Sequence, residues 1–329
     1  MSASENEPGD RLYFFILLSA DNSPEKQDLA RDAGADAFLS KPLKIEELGA
    51  RLKAYMRLHG LKGWMQSRQN FQEERKMAQA LRFQQRILEG ELQEAATYVR
   101  SLLPKPCSTP IAVDFQFLPS KYLGGDCFDY YWLNGDQFVI YLLDVSGHGL
   151  GAALFSVSVQ SVLRSQSLPQ VCFDQPEQVL SALNSRFQSN DQNIRYFTIW
   201  YGVYRLSTQE LVYASAGHPP ALLRSLNSEK PVQYLKARGK PIGLLPETQF
   251  KNSYHTVSEA SILYLFSDGV YEFSLKSGKT WKIEEFIQLI TNSPALFAWS
   301  TEQIIQEIRA KISTGEFEDD CSLIRAQLG

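Results

Sequence analysis

Four times between Cys107 and the C-terminus an apolar run delivers an acidic residue into a glycine-rich or acidic turn. The segments are Leu123-Gly124-Gly125-Asp126, Leu143-Asp144-Val145-Ser146-Gly147-His148-Gly149, Phe266-Ser267-Asp268-Gly269 and Glu318-Asp319-Asp320. Short apolar runs bounded by turn signals fit strands buried on both faces, which puts the acids at strand ends. Runs of this kind cover residues 113–118, 138–143, 197–204, 211–214, 221–224, 262–266 and 322–326, and helical patterns cover 150–165, 178–188, 283–290 and 302–312. Strands clustered about short turns, with helices in pairs, predict antiparallel sheets covered by helices rather than regular strand–helix alternation.

Each acidic turn alone is ordinary turn chemistry. Four carboxylates at strand ends, each beside backbone that a ligand can approach closely, are together what an all-oxygen metal site requires. The four histidines, His59, His148, His218 and His255, are scattered, and the four cysteines, Cys107, Cys127, Cys172 and Cys321, contain no CxxC pair. A zinc ribbon, a copper site and a disulfide framework therefore lack their ligands. Carboxylate, carbonyl and water ligands suit Mg²⁺ or Mn²⁺, and two such ions can aim a water at phosphorus. The chemistry predicted is phosphoester hydrolysis.

Composition narrows the partners. The 329 residues carry 33 basic and 37 acidic side chains, a formal charge of −4, so no global positive field recommends nucleic acid or an anionic membrane. An apolar fraction of 44% with 21% charged residues argues against a mostly disordered chain. No apolar run approaches the ~20 residues that span a bilayer. The opening MSASENEPGD is polar and acidic rather than a basic region leading into an apolar one, so the expected location is the cytoplasm.

Two further zones precede the strand-rich one. Residues 1–60 read as strand 13–18, a helix over 25–33 opened by Pro24 and stopped by Gly34, strand 37–40, then Lys41-Pro42 and a helix bearing Leu48, Leu52 and Tyr55. This alternation implies a parallel sheet. Residues 61–103 lack proline and have one glycine between Trp64 and Leu103. Phe71, Ala78, Gln85, Leu92 and Val99 at one heptad position and Glu74, Leu81, Leu88, Ala95 and Leu102 at the other describe a mostly apolar seam. It fits a coiled-coil homodimer or an amphipathic helix lying on its own domain. Pro104 and Pro106 close the zone, so the domains expected are 1–60, 61–103 and 104–329.

The region from about Leu103 onward resembles the PPM, or type 2C, metal-dependent Ser/Thr phosphatases, in particular the bacterial SpoIIE-type branch that regulates sigma factors by partner switching. The resemblance is carried, in order, by LGGDCFDYYWL, LLDVSGHGLGAALF, RYFTIWYGVYRL, LVYASAGHPPALLR, IGLLPE, LYLFSDGVYEF and EDDCSL. It implies an α+β fold, an α/β/β/α sandwich of two antiparallel sheets between helix pairs, with two Mn²⁺ or Mg²⁺ ions at one end. In that resemblance Asp144 bridges both ions, Asp126 and the Val145 carbonyl hold one, and Asp268 with Asp319 hold the other. Asp320 is a further candidate ligand. Asp126, Asp144, Asp268 and Asp319 are then the catalytic residues.

His148 lies four residues after Asp144 instead of immediately after a DG pair, so it reads either as a general acid or as a hydrogen-bonded structural residue. The cation nearest before Asp126 is Lys121, where the wider family has a phosphate-gripping arginine, and His218 reads as structural. The implied activity is dephosphorylation of phosphoserine or phosphothreonine on a STAS-type anti-sigma-factor antagonist, with a homodimer formed through 61–103. The alternatives are a non-catalytic pseudophosphatase scaffold and a small-molecule phosphoesterase.

Residues 15–58 resemble the C-terminal half of a response-regulator receiver, with Ser19 at the switch hydroxyl position and Lys41-Pro42 as the phosphoryl-contacting lysine, often across a cis bond. The acidic pocket and phosphoacceptor of such a domain have no counterpart in this sequence. The expectation is an output module that does not itself receive a phosphoryl group, either part of a longer protein or carrying a half-domain for docking or dimerising.

Overall fold

A computed structural model describes residues 14–119, 122–189, 195–226, 231–292 and 300–329, apart from the side chains of 61–67, 69 and 292. The chain divides into two compact units, Met1–Ile87 and Leu88–Gly329.

In the first unit β1 (Ile16–Ser19) and β2 (Ala37–Ser40) pair in parallel, Ile16 opposite Ala37, across α1 (Pro24–Asp32). Pro24 sits in the first turn of α1, where its missing N–H costs nothing, and Gly34 follows the helix at φ 86°. Lys41-Pro42 is cis. Tyr13, expected at the head of β1, lies outside the described residues.

The helix bearing Leu48, Leu52 and Tyr55 and the helix expected over 61–103 are one, α2 (Ile45–Ser101), 57 residues long. Gly60 and Gly63 each weaken a helix by only ~1 kcal/mol, whereas the zone lacks the proline that would break it. The division between units falls within α2. Its apolar seam also splits. Leu92, Ala95 and Val99 pack with buried Ala96 against Leu123 and Ala153, so this stretch lies on its own domain. Phe71, Leu81 and Leu88 remain more than half exposed.

The second unit continues with β3 (Val113–Leu118), β4 (Cys127–Trp132), β5 (Gln137–Val145), α3 (Leu150–Arg164), α4 (Pro176–Arg186), β6 (Phe197–Arg205), β7 (Glu210–Ala216), β8 (Ala221–Ser225), β9 (Gln233–Leu235), β10 (Ser253–Thr256), β11 (Ser261–Phe266), β12 (Phe273–Ser274), β13 (Thr280–Trp281), α5 (Ile283–Asn292), α6 (Thr301–Arg309) and β14 (Cys321–Leu328). Two five-stranded antiparallel sheets result, in the orders β10-β7-β6-β5-β4 and β3-β14-β11-β8-β9. Alternation along single strands builds the layers. Val139, Tyr141 and Leu143 of β5 join α3 and α4 in one core, while Phe138, Ile140 and Leu142 face Leu263, Leu265 and Ile324 of the other sheet. Ile262, Tyr264 and Phe266 of β11 face α5 and α6. This is the expected α/β/β/α sandwich, and it explains the unbroken apolar runs: both faces of the central strands are buried.

Antiparallel register then gathers the acids. Cys127 pairs with Leu143, so Asp126 before β4 and Asp144 near the end of β5 share one end of their sheet. Phe266 pairs with Leu323, so Asp268 after β11 and Asp319-Asp320 before β14 share the end of theirs. No helix among the described residues is long and apolar enough to cross a membrane.

Candidate metal centre

Hydrogen bonds show that these two ends meet. The Gly125 N–H donates to Asp320 Oδ2 at 2.7 Å, and the Ser322 hydroxyl donates to Asp126 Oδ2 at 2.6 Å. Ser267 ties the second sheet's turn together: its hydroxyl donates to the Asp320 carbonyl and accepts from the Ser322 N–H at 3.0 Å. Two glycines permit the approach. A Cβ on Gly125 would stand 2.6 Å from the Val145 carbonyl oxygen, and one on Gly269 would stand 2.2 Å from the Asp320 carbonyl oxygen. Both obstacles are backbone and cannot swing aside.

The electrostatics fit a chain of neighbouring carboxylates. Asp126 is buried at 3% exposure. Burial, followed by the charges of Asp144 and Asp320, holds its acid far above the usual carboxylate range despite the Ser322 hydrogen bond. Burial, then Asp268, Asp319 and Asp320, raises Asp144 to about 7. Burial, then Asp319 and Glu272, raises Asp268 to about 6. Asp319 is exposed and acts on Asp144 and Asp268, whereas buried Asp320 is engaged by Gly125. Anions pressed together with little water demand positive charge. Among the described residues no three acidic, histidine or cysteine side chains already enclose one point. The fit to divalent ions is thus one of oxygen donors and unbalanced charge, not of a closed cage.

His148 is exposed and makes no hydrogen bond with a described residue. His218 is buried, with Nδ1 2.8 Å from the Thr198 hydroxyl, and burial lowers its pKa to about 3. It is a neutral packing residue, as its sequence suggested. Lys121 lies outside the described residues. Ser267 and Ser322, which hold the acids, escaped the sequence reading. The available signal was a hydroxyl flanking each acidic turn at the sheet end, in FSDG and DDCS.

Known proteins resemble this chain in sequence and in fold. The chain is 29% identical over 187 residues to the phosphoserine phosphatase RsbP of Bacillus subtilis, covering 55% of this chain and 45% of that protein, so it spans less than half of that relative's length. It is 27% identical over 248 residues to the phosphoserine phosphatase RsbU of the same organism, covering 75% of this chain and 72% of the relative. Its fold matches the SiaA-PP2C domain of Pseudomonas aeruginosa with a TM-score of 0.66 at 17% identity, over 74% of this chain and 98% of that one. The model of the stage II sporulation protein E (SpoIIE) family matches residues 134–329, more than half of the sequence, and the chain therefore belongs to the SpoIIE family.

Proposed function

We propose that the chain is a cytoplasmic Mg²⁺- or Mn²⁺-dependent protein phosphatase acting on phosphoserine or phosphothreonine. The observation that carries this reading is the convergence of Asp126, Asp144, Asp268, Asp319 and Asp320 where the two sheets end, in carboxylates that burial and mutual repulsion leave short of positive charge. Asp144 would bridge two ions, with Asp126 and the Val145 carbonyl on one and Asp268 and Asp319 on the other. When bound, the ions supply a water made nucleophilic at neutral pH and offset charge on the phosphoryl oxygens. The protein's own part is positional. Ser322 fixes the Asp126 carboxylate, and the Gly125–Asp320 hydrogen bond clamps the two sheet ends at a set distance.

The substrate proposed is a phosphorylated STAS-type antagonist of an anti-sigma factor, in keeping with the relatives named phosphoserine phosphatases. The first unit is proposed to be the C-terminal part of a receiver, which makes the chain the output module of a response regulator. The exposed Phe71, Leu81 and Leu88 of α2 support a homodimer through that helix. Leu92 to Val99 pack on Leu123, immediately before Gly124-Gly125-Asp126, giving a change in the helix a short mechanical route to the metal centre.

The test is Mn²⁺-dependent hydrolysis of a phosphoserine protein by Asp144→Asn and Asp268→Asn. Losing several kcal/mol of charge stabilisation predicts a rate lower by about a thousandfold or more in each, with the fold retained by circular dichroism. Unaltered turnover in either variant contradicts the assignment.

A further inference from the structure

Arg195 stands where the acidic centre makes no use of it. It precedes Tyr196 at the entry to β6, and Tyr196 is tied to Ser146: the Ser146 N–H donates to the Tyr196 carbonyl at 2.9 Å, and the Tyr196 N–H donates to the Ser146 hydroxyl at 3.2 Å. Ser146 follows Asp144 by two positions, so Arg195 is held beside the loop that leaves the centre. Its half-buried guanidinium lies on the first turn of α3. A Cβ built on Gly151 would fall 2.3 Å from one Nη and 3.0 Å from Cζ. Glycine is an unfavourable helix residue, and here its missing side chain is the room the guanidinium occupies.

The charge of this arrangement is incomplete. α3 opens at Gly149 with no side-chain cap and has no acid in its first turn, so its N-terminal end keeps its partial positive charge. Arg195 adds a full positive charge there, and its guanidinium has no carboxylate or hydrogen-bond acceptor among the described residues. An anion placed between them makes both interactions favourable. A phosphoryl group suits the planar donor fork, which can take two of its oxygens at once.

We propose that Arg195 grips the phosphoryl group of the substrate and holds it over the loop that follows Asp144. This rests on the phosphatase reading, since it names the residue that binds the group to be hydrolysed. Arg195 touches substrate and exchanges no proton.

Calorimetric titration of the full chain, loaded with Mn²⁺, with inorganic phosphate tests this directly. Arg195→Gln should weaken phosphate binding about tenfold or more, as expected for loss of a charge-assisted bidentate contact, and Arg195→Lys should fall between the two. Gly151→Ala should also weaken phosphate binding by pushing the guanidinium aside, without lowering the melting temperature, because alanine is the better helix former. Phosphate affinity unchanged in Arg195→Gln, or no phosphate binding by the wild-type chain, would overturn the proposal. The phosphatase reading is judged separately by turnover in Asp144→Asn: a chain that loses turnover there while its phosphate affinity ignores Arg195 keeps the activity and loses this site.

Discussion

The sandwich strands and the β1–β2 pair are written in similarly apolar residues, yet they bury them very differently. Phe138 to Leu143 of β5 are all within 1% of complete burial, while Leu17 and Leu18 of β1 are 39% and 45% exposed. A sheet enclosed by a second sheet on one side and by helices on the other has surplus stability. That surplus is what lets the second unit sustain Asp126, Asp144 and Asp268 in raised, repelling states. Among the described residues the first unit holds no buried acid, and its two strands have no such enclosure. The difference teaches that a cluster of like charges needs a rigid scaffold able to absorb its cost, and only one unit supplies it.

The largest effect expected from this contrast is in the core between the sheets. Trp200 is completely buried and stacks on Tyr213 with ring centroids 5.3 Å apart. Trp200→Ala should cost ~3–5 kcal/mol, read from denaturant unfolding. A cost below 1 kcal/mol would show that the sandwich is looser than its burial implies.

Next comes the buried Asp129. Its Oδ2 is 3.3 Å from Arg164 Nε, its side chain is fully buried, and burial raises its pKa from 3.8 to about 6 in spite of the arginine. Because the folded state holds this proton more tightly than the unfolded chain, the contribution to stability is complete below pH ~4 and is lost as pH rises through about 6. The loss is at most on the order of 3 kcal/mol. Asp129→Asn, compared with wild type in chelator, should therefore match it near pH 4 and gain on it by pH 7. Parallel pH curves would contradict the assignment.

A smaller effect is expected at the metal centre's support. Ser322→Ala removes the 2.6 Å hydrogen bond to Asp126 and should cost ~1–3 kcal/mol while weakening Mn²⁺ binding. The smallest belongs to the open strand. Leu18→Ala should change stability by less than about 0.5 kcal/mol, and a larger cost would mean that β1 is covered in solution, which would erase the contrast drawn above.

Much of this was legible in the sequence because double-faced burial leaves unbroken apolar runs, as in β5 and β11. β4 lacks an unbroken apolar run because Asp129 interrupts it, and that buried carboxylate is paired with Arg164 far along the chain. The continuity of α2 has no local mark, since Gly60 and Gly63 are only weak helix breakers. The acids themselves were visible at their strand ends. What could not be read was their pairing, because the Ser322–Asp126 and Gly125–Asp320 contacts join residues almost 200 positions apart and exist only once two sheets are stacked. Three of the ten seam residues, Leu92, Ala95 and Val99, are likewise claimed by Leu123 and Ala153, a contact with no local signature.

The central claim is that the carboxylate cluster is costly by itself and is made functional by divalent ions. The most direct measurement is the melting temperature of wild type and Asp144→Asn, each with Mn²⁺ and with chelator. Removing one charge from a repelling cluster should leave the chelated variant at least as stable as chelated wild type, whereas Mn²⁺ should raise the melting temperature of wild type and leave the variant nearly unmoved. Equal Mn²⁺ stabilisation of both proteins would contradict the account.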